Sequence, residues 1–72
     1  MNAHPVLLQK KYARIIDQFA KNNSISLEKA LGLFYHSDLY VLMSQGISDM
    51  HCRSDEYLIE ELTIECRRKH LL

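Results

Sequence analysis

Apolar residues in this chain recur at the spacing of an α-helix, and that period constrains its fold more than any other feature. Leu8, Tyr12, Ile15, Ile16 and Phe19 fall within about 100° of one another on a helical projection, while Lys10, Arg14, Asp17 and Lys21 point elsewhere. Leu27, Ala30, Leu31 and Phe34 repeat the i, i+3, i+4, i+7 spacing, and Leu58, Ile59, Leu62 and Cys66 form a third apolar face. The pattern predicts an all-α fold: a compact single-domain bundle of about four helices over residues 1–72, the third short and buried.

Residues that start and stop helices divide the chain at matching places. Pro5 suits a first helical turn, where its missing N–H costs nothing, and Asn22-Asn23-Ser24 favours left-handed backbone and turns, so the first helix is expected from Pro5 to Lys21. Ser24 or Ser26 can cap a second helix with Glu28 in its first turn, running to about His36. Gly32 inside it costs about 1 kcal/mol against alanine, which predicts close approach of a neighbouring element.

Ser37-Asp38 and Gly46 bracket Leu39-Tyr40-Val41-Leu42-Met43. Five apolar residues are compatible with a buried strand, but the caps favour a helix, and a segment apolar on nearly every side is expected in the middle of the core. Residues 47–53 have no clear period and read as a loop, with Ile47 and Met50 tucking back onto the core. Ser54 then caps a last helix whose first turn holds Asp55 and Glu56 and whose last holds Arg67, Arg68 and Lys69, favourable to the helix dipole at both ends.

A single 72-residue domain hides only about 60% of the surface its unfolded chain exposes, and its core supplies about 3–5 kcal/mol, so association is a natural source of further stability. Nine basic residues balance nine acidic ones, which removes the electrostatic excess that nucleic-acid binders use and disfavours such a partner. Two cysteines and no secretory pattern at the start suggest a reducing, cytoplasmic setting with two free thiols. No apolar run approaches the ~20 residues a bilayer demands, so no membrane partner is expected.

The chemistry-bearing residues do not assemble into a recognisable site. Cys66 and His70 share a helix face and His51-Cys52 precedes it, but adjacent ligands lack the knuckle spacing of zinc sites, so no metal is expected. The same thiols and imidazoles have no third orienting group and no glycine-rich oxyanion loop, and Glu60 and Glu61 diverge on a helix. No catalytic residue, cofactor or small-molecule substrate is therefore assigned. A metal- or redox-responsive element using Cys52, Cys66 and His70 is an alternative that the residue types leave open. Helices two and three could imitate a helix-turn-helix, the basis of another alternative, a small DNA-binding regulator. Against it, residues 38–45 carry no Lys or Arg, and only Ser44 and Gln45 could read a base edge. Any basic contact would come from Lys10, Lys11, Arg14 and Lys21.

The last helix carries a second apolar set. Tyr57, Ile64 and Leu71 recur every seven residues and point about 180° from its core face, so one small core cannot bury both. They are the expected contact for a protein partner or a second copy of the chain.

The stretch Met50-His51-Cys52-Arg53-Ser54-Asp55-Glu56-Tyr57-Leu58-Ile59-Glu60-Glu61-Leu62 resembles the C-terminal signature of a bacterial family of very small proteins of unknown function. In that family an apolar–His pair, two residues and a Ser lead into a final helix with an aromatic near its start. A looser, collinear match covers the first helix, the Asn/Ser turn and Leu27-Glu28-Lys29-Ala30-Leu31. Members are often encoded beside genes for ADP-ribosyltransferase-like toxins, so the resemblance implies a toxin-neutralising or toxin-associated role. It carries over to His51 and Ser54, with Cys52-Arg53 between them as this chain's departure from the pattern.

Overall fold

The computed structural model describes residues 5–72; the first four residues of the expected domain lie outside the described part. The helices are α1 (Pro5–Asn22), α2 (Leu27–Tyr35), α3 (Asp38–Ser44) and α4 (Asp55–Arg68), and the described residues contain no strand. α1 packs against both α2 and α4, and α3 bridges α2 and α4.

Three serines start three helices by one device. The side-chain oxygens of Ser26, Ser37 and Ser54 accept the amides of Lys29, Tyr40 and Tyr57 at 3.0, 3.0 and 3.1 Å, each satisfying a first-turn donor that has no partner within its helix. Ser26 rather than Ser24 is the cap of α2, because Ser24 is used in ending α1. It takes left-handed backbone (φ 54°) while its amide donates to the Lys21 carbonyl and that of Ile25 to the Ala20 carbonyl, the paired bonds of a Schellman ending. Gly46 (φ 67°) ends α3, as its lack of a Cβ suits.

The core gathers the predicted faces. Ile15, Phe19, Ala30, Phe34, Leu58 and Leu62 are fully buried, and Tyr12, Ile16, Ile59 and Cys66 nearly so, with Leu8 packed at the margin. Tyr12, Phe34, Tyr35 and Tyr40 form a cluster across α1, α2 and α3 with ring centroids 4.9–6.3 Å apart, all tilted or edge-on as the ring quadrupoles prefer. Burial, with Tyr40 and Tyr35 nearby, pushes the Tyr12 hydroxyl pKa up.

Several expectations need correction. Leu27 and Leu31 are 56% and 47% exposed, because α2 meets α1 through Ala30 and Phe34 alone of the predicted stripe. A Cβ built on Gly32 meets nothing within 4 Å among the described residues, so none of them makes the close approach expected there. α3 is buried through Leu39 and Met43 while Val41 is exposed, so its burial is one-sided. Residues 47–52 form short 3₁₀ turns rather than a loop, kinked where Ser48 and Asp49 take left-handed backbone (φ 54° and 53°); Met50 packs on the core but Ile47 is exposed.

Candidate functional site

α4 was expected to present two faces. Leu58, Leu62 and Cys66 are buried, whereas Tyr57 and Ile64 on the other side are 43% and 53% exposed. The Arg53 guanidinium lies over the Tyr57 ring, 5.5 Å from its centroid and within cation–π range, so the preceding segment covers one face of this ring. Leu71 is exposed too, but it does not extend the α4 row. The helix stops at Arg68 and His70 turns left-handed (φ 59°), with the His70 amide on the Arg67 carbonyl and the Leu71 amide on that of Cys66. The structure therefore leaves Tyr57 and Ile64 on one helical face and places Leu71 beyond its reversal.

Ile64 also forms one wall of a groove of about 190 Å³ between α3, the 3₁₀ segment and α4, with Leu39, Leu42 and Met50 on its apolar side and Glu61 and Arg68 on its rim. A groove of this size accommodates about one large side chain.

Beside it lies a residue the sequence pattern did not single out. Glu65 is 8% exposed, and its carboxylate accepts the amides of Asp38 at 2.8 Å and Leu39 at 3.2 Å, the first residues of α3. Lys69 donates to the same carboxylate at 2.8 Å and lies 3.4 Å from Asp38. Hydrogen bonding to Glu65 raises the Lys69 pKa, the Asp38 contact adding to it. The signal was present: Glu65 falls in the apolar phase of α4, between Leu62 and Cys66, where a carboxylate requires partners.

On the opposite side Asp55 joins α4 to α1. Arg14 Nε donates to it at 2.8 Å and Lys11 Nζ stands 3.3 Å away while donating to the Arg53 carbonyl at 2.6 Å. The Arg14 hydrogen bond, reinforced by Lys11, holds the Asp55 carboxyl below the usual carboxylate range against the opposing effect of burial. Next to this pair an open groove of about 540 Å³, about equally polar and apolar, runs between the helices over Ile59. Lys21 pairs with Asp17 at 2.9 Å. Three of the four basic residues considered for nucleic-acid contact are thus engaged by carboxylates.

Ser54 is the cap of α4, whereas His51 lies in the 3₁₀ segment with its Nδ1 buried and without a hydrogen-bond partner. Its ring lies over Gly46, where an added Cβ would meet it at 3.6 Å. Cys52 is an exposed free thiol and Cys66 a buried one, and burial pushes the Cys66 thiol pKa up. Among the described residues no three of His, Cys, Asp and Glu gather as a metal site would require, and His70 sits exposed at the α4 reversal.

α2 supplies a further exposed apolar surface. Leu27, Leu31 and Tyr35, at four-residue intervals, are all exposed. Only Glu28 and Lys29 are charged in this helix, so it has more apolar residues than one buried face can hold.

Compared with protein-family models, curated proteins and solved structures, the chain matches none. No described helix is long and apolar enough to cross a membrane.

Proposed function

We propose that this chain is a protein-interaction module, acting by binding rather than by catalysis, whose contact for a partner protein is the outer face of α4. The observation that carries the reading is the exposure of Tyr57 and Ile64 opposite the buried Leu58 and Leu62, on a helix already fixed to the core. The groove between Ile64, Leu42 and Met50 supports it, since an apolar recess on the same face as exposed apolar residues is how interfaces seat an anchoring side chain. The resemblance of residues 50–62 to the small bacterial family supports a cytoplasmic, antitoxin-like role in which the partner is a neighbouring toxin.

The test is co-purification from the native host with the chain as bait. Tyr57→Ala combined with Ile64→Lys should lose the partner while the melting curve keeps its midpoint. Leu62→Ala, in the core, should lower stability by about 2–5 kcal/mol. Retention of the partner by the folded double variant would move the contact off this face.

A further inference from the structure

The charges on the outer face of α4 are placed symmetrically about Ile64 and inverted across it. Glu60 and Glu61 lie four and three residues before Ile64, Arg67 and Arg68 three and four residues after it. Glu60, Arg67 and Arg68 are exposed and Glu61 half-buried, and none of the four makes an ion pair among the described residues. At about 100° per residue Glu60 and Arg67 fall about 40° and 60° to one side of Ile64, and Arg68 and Glu61 about 40° and 60° to the other. On either side the acid and the arginine are seven residues apart, about 10 Å along the axis, too far to pair within the helix. The helix dipole accounts for Asp55 and Glu56 in the first turn and for the arginines in the last. It does not account for Glu60 and Glu61 in the second turn, where its influence has faded.

We infer that this face is closed by a second copy of the chain, α4 lying antiparallel on α4 about a twofold axis through Ile64. That axis turns the second copy end for end and side for side. Its Arg68 then comes opposite Glu60 and its Arg67 opposite Glu61, each at the same height and on the same side of the contact. Four opposite-charge pairs flank Ile64, which packs on the second copy's Ile64. A second copy, rather than an unrelated helix, is indicated because every acid meets an arginine at the position that the twofold relation requires. A parallel pair would set acid beside acid and arginine beside arginine. Tyr57, two turns before Ile64, lies at the margin of the contact. A pair of 14-residue helices buries less than the ~800 Å² per partner of a standard interface, and exposed ion pairs are weak and screened by salt. The dimer is therefore sensitive to concentration and salt and yields the face to a tighter partner. The inference rests on the reading of α4 as a binding face and names what holds that face when no other protein does.

Sedimentation equilibrium of the full chain from micromolar to millimolar concentration tests it. At low salt the wild-type mass should climb from that of one chain toward that of two, and added salt should reverse the climb. Glu60→Lys with Glu61→Lys should stay single, as should Arg67→Glu with Arg68→Glu, because each sets like charges opposite one another. An equimolar mixture of the two variants should regain the mass of two chains, since every opposed pair is again of opposite sign. The arginine reversal works against the helix dipole. Should it melt low, Ile64→Cys in a Cys52→Ser background decides, and mild oxidation should cross-link two chains through the axis. A wild type that stays single, a folded charge-reversed variant that associates unchanged, a mixture of folded variants that stays single, or an Ile64→Cys chain that does not cross-link would overturn the inference. A wild type that stays single while Tyr57→Ala with Ile64→Lys still loses the host partner would overturn this inference and leave the reading of α4 standing. A dimer with the expected charge dependence, in a chain whose Tyr57→Ala, Ile64→Lys variant keeps the host partner, would support the dimer and move that partner off α4.

Discussion

The Glu65 carboxylate on α4 accepts the backbone amide of Leu39 on α3 at 3.2 Å, and its other oxygen accepts that of Asp38 at 2.8 Å. With Ser37 bonded to the Tyr40 amide, three first-turn donors of α3 are satisfied, two of them by a helix 26 and 27 residues away in sequence. A seven-residue helix has little stability of its own, so α3 depends on this contact and on burial of Leu39 and Met43. Glu65→Ala should therefore cost about 2–4 kcal/mol, because it strands buried donors. Glu65→Gln should cost less, as it keeps one acceptor. Urea unfolding with an unchanged slope measures both. A Glu65→Ala midpoint equal to that of the wild type would mean water replaces the carboxylate without loss.

The helix boundaries were legible in the sequence because they are local decisions. Ser37, Gly46 and Ser54 act through bonds or backbone angles within a few residues of themselves, and each does what its residue type predicts. The faces of α1 and α4 were legible because each has one clear apolar side. α2 was not, since nearly every direction is apolar and only its angle against α1 decides that Ala30 and Phe34 go in while Leu27 and Leu31 stay out. Leu71 was misplaced on α4 for a related reason: His70 takes the left-handed ending usually marked by glycine, so the reversal had no sequence flag. Glu65 depends on a partner far along the chain, and only its place in an apolar phase hinted at it.

Asp55 gives the stability a defined pH dependence. Its folded pKa is depressed, by Arg14 first and Lys11 next, below an unfolded value near 3.9. The contribution is therefore complete above that unfolded value and is lost as the pH falls through the folded one. Between about pH 5 and pH 3 the melting temperature of Asp55→Asn should fall less than that of the wild type. Added salt should shrink the difference, since the pair is partly exposed and screened. Parallel curves would assign the acid sensitivity to other carboxylates.

Ser24 ends α1 in left-handed backbone, which disfavours a residue with a Cβ. Ser24→Gly should raise stability by up to about 1 kcal/mol, less the extra freedom glycine gives the unfolded chain. In a domain of this size that corresponds to a melting shift of about 4–8 °C per kcal/mol. Ser24→Ala should show no such gain, because it keeps the Cβ. Equal melting of the glycine and alanine variants would indicate that the serine hydroxyl, not the backbone angle, matters here.

The two thiols should report on different motions of the same molecule. Cys52 is exposed, whereas Cys66 is 1% exposed, and burial together with the neighbouring Glu65 carboxylate pushes its thiol pKa up. Thiolate is the form that attacks an alkylating reagent, so burial and the raised pKa both slow Cys66. A pulse of iodoacetamide read by peptide mass spectrometry should modify Cys52 in a fast phase and Cys66 only through opening of α4. If that opening is global unfolding and reclosing outpaces alkylation, the Cys66 rate follows the unfolding equilibrium, rising about tenfold for each 1.4 kcal/mol of destabilisation by urea. Leu62→Ala should accelerate it by the same rule, in proportion to its independently measured stability loss, while leaving Cys52 unchanged. A Cys66 rate indifferent to urea would instead locate the opening in the last turn of α4, around Arg67 and Arg68, with the core still closed.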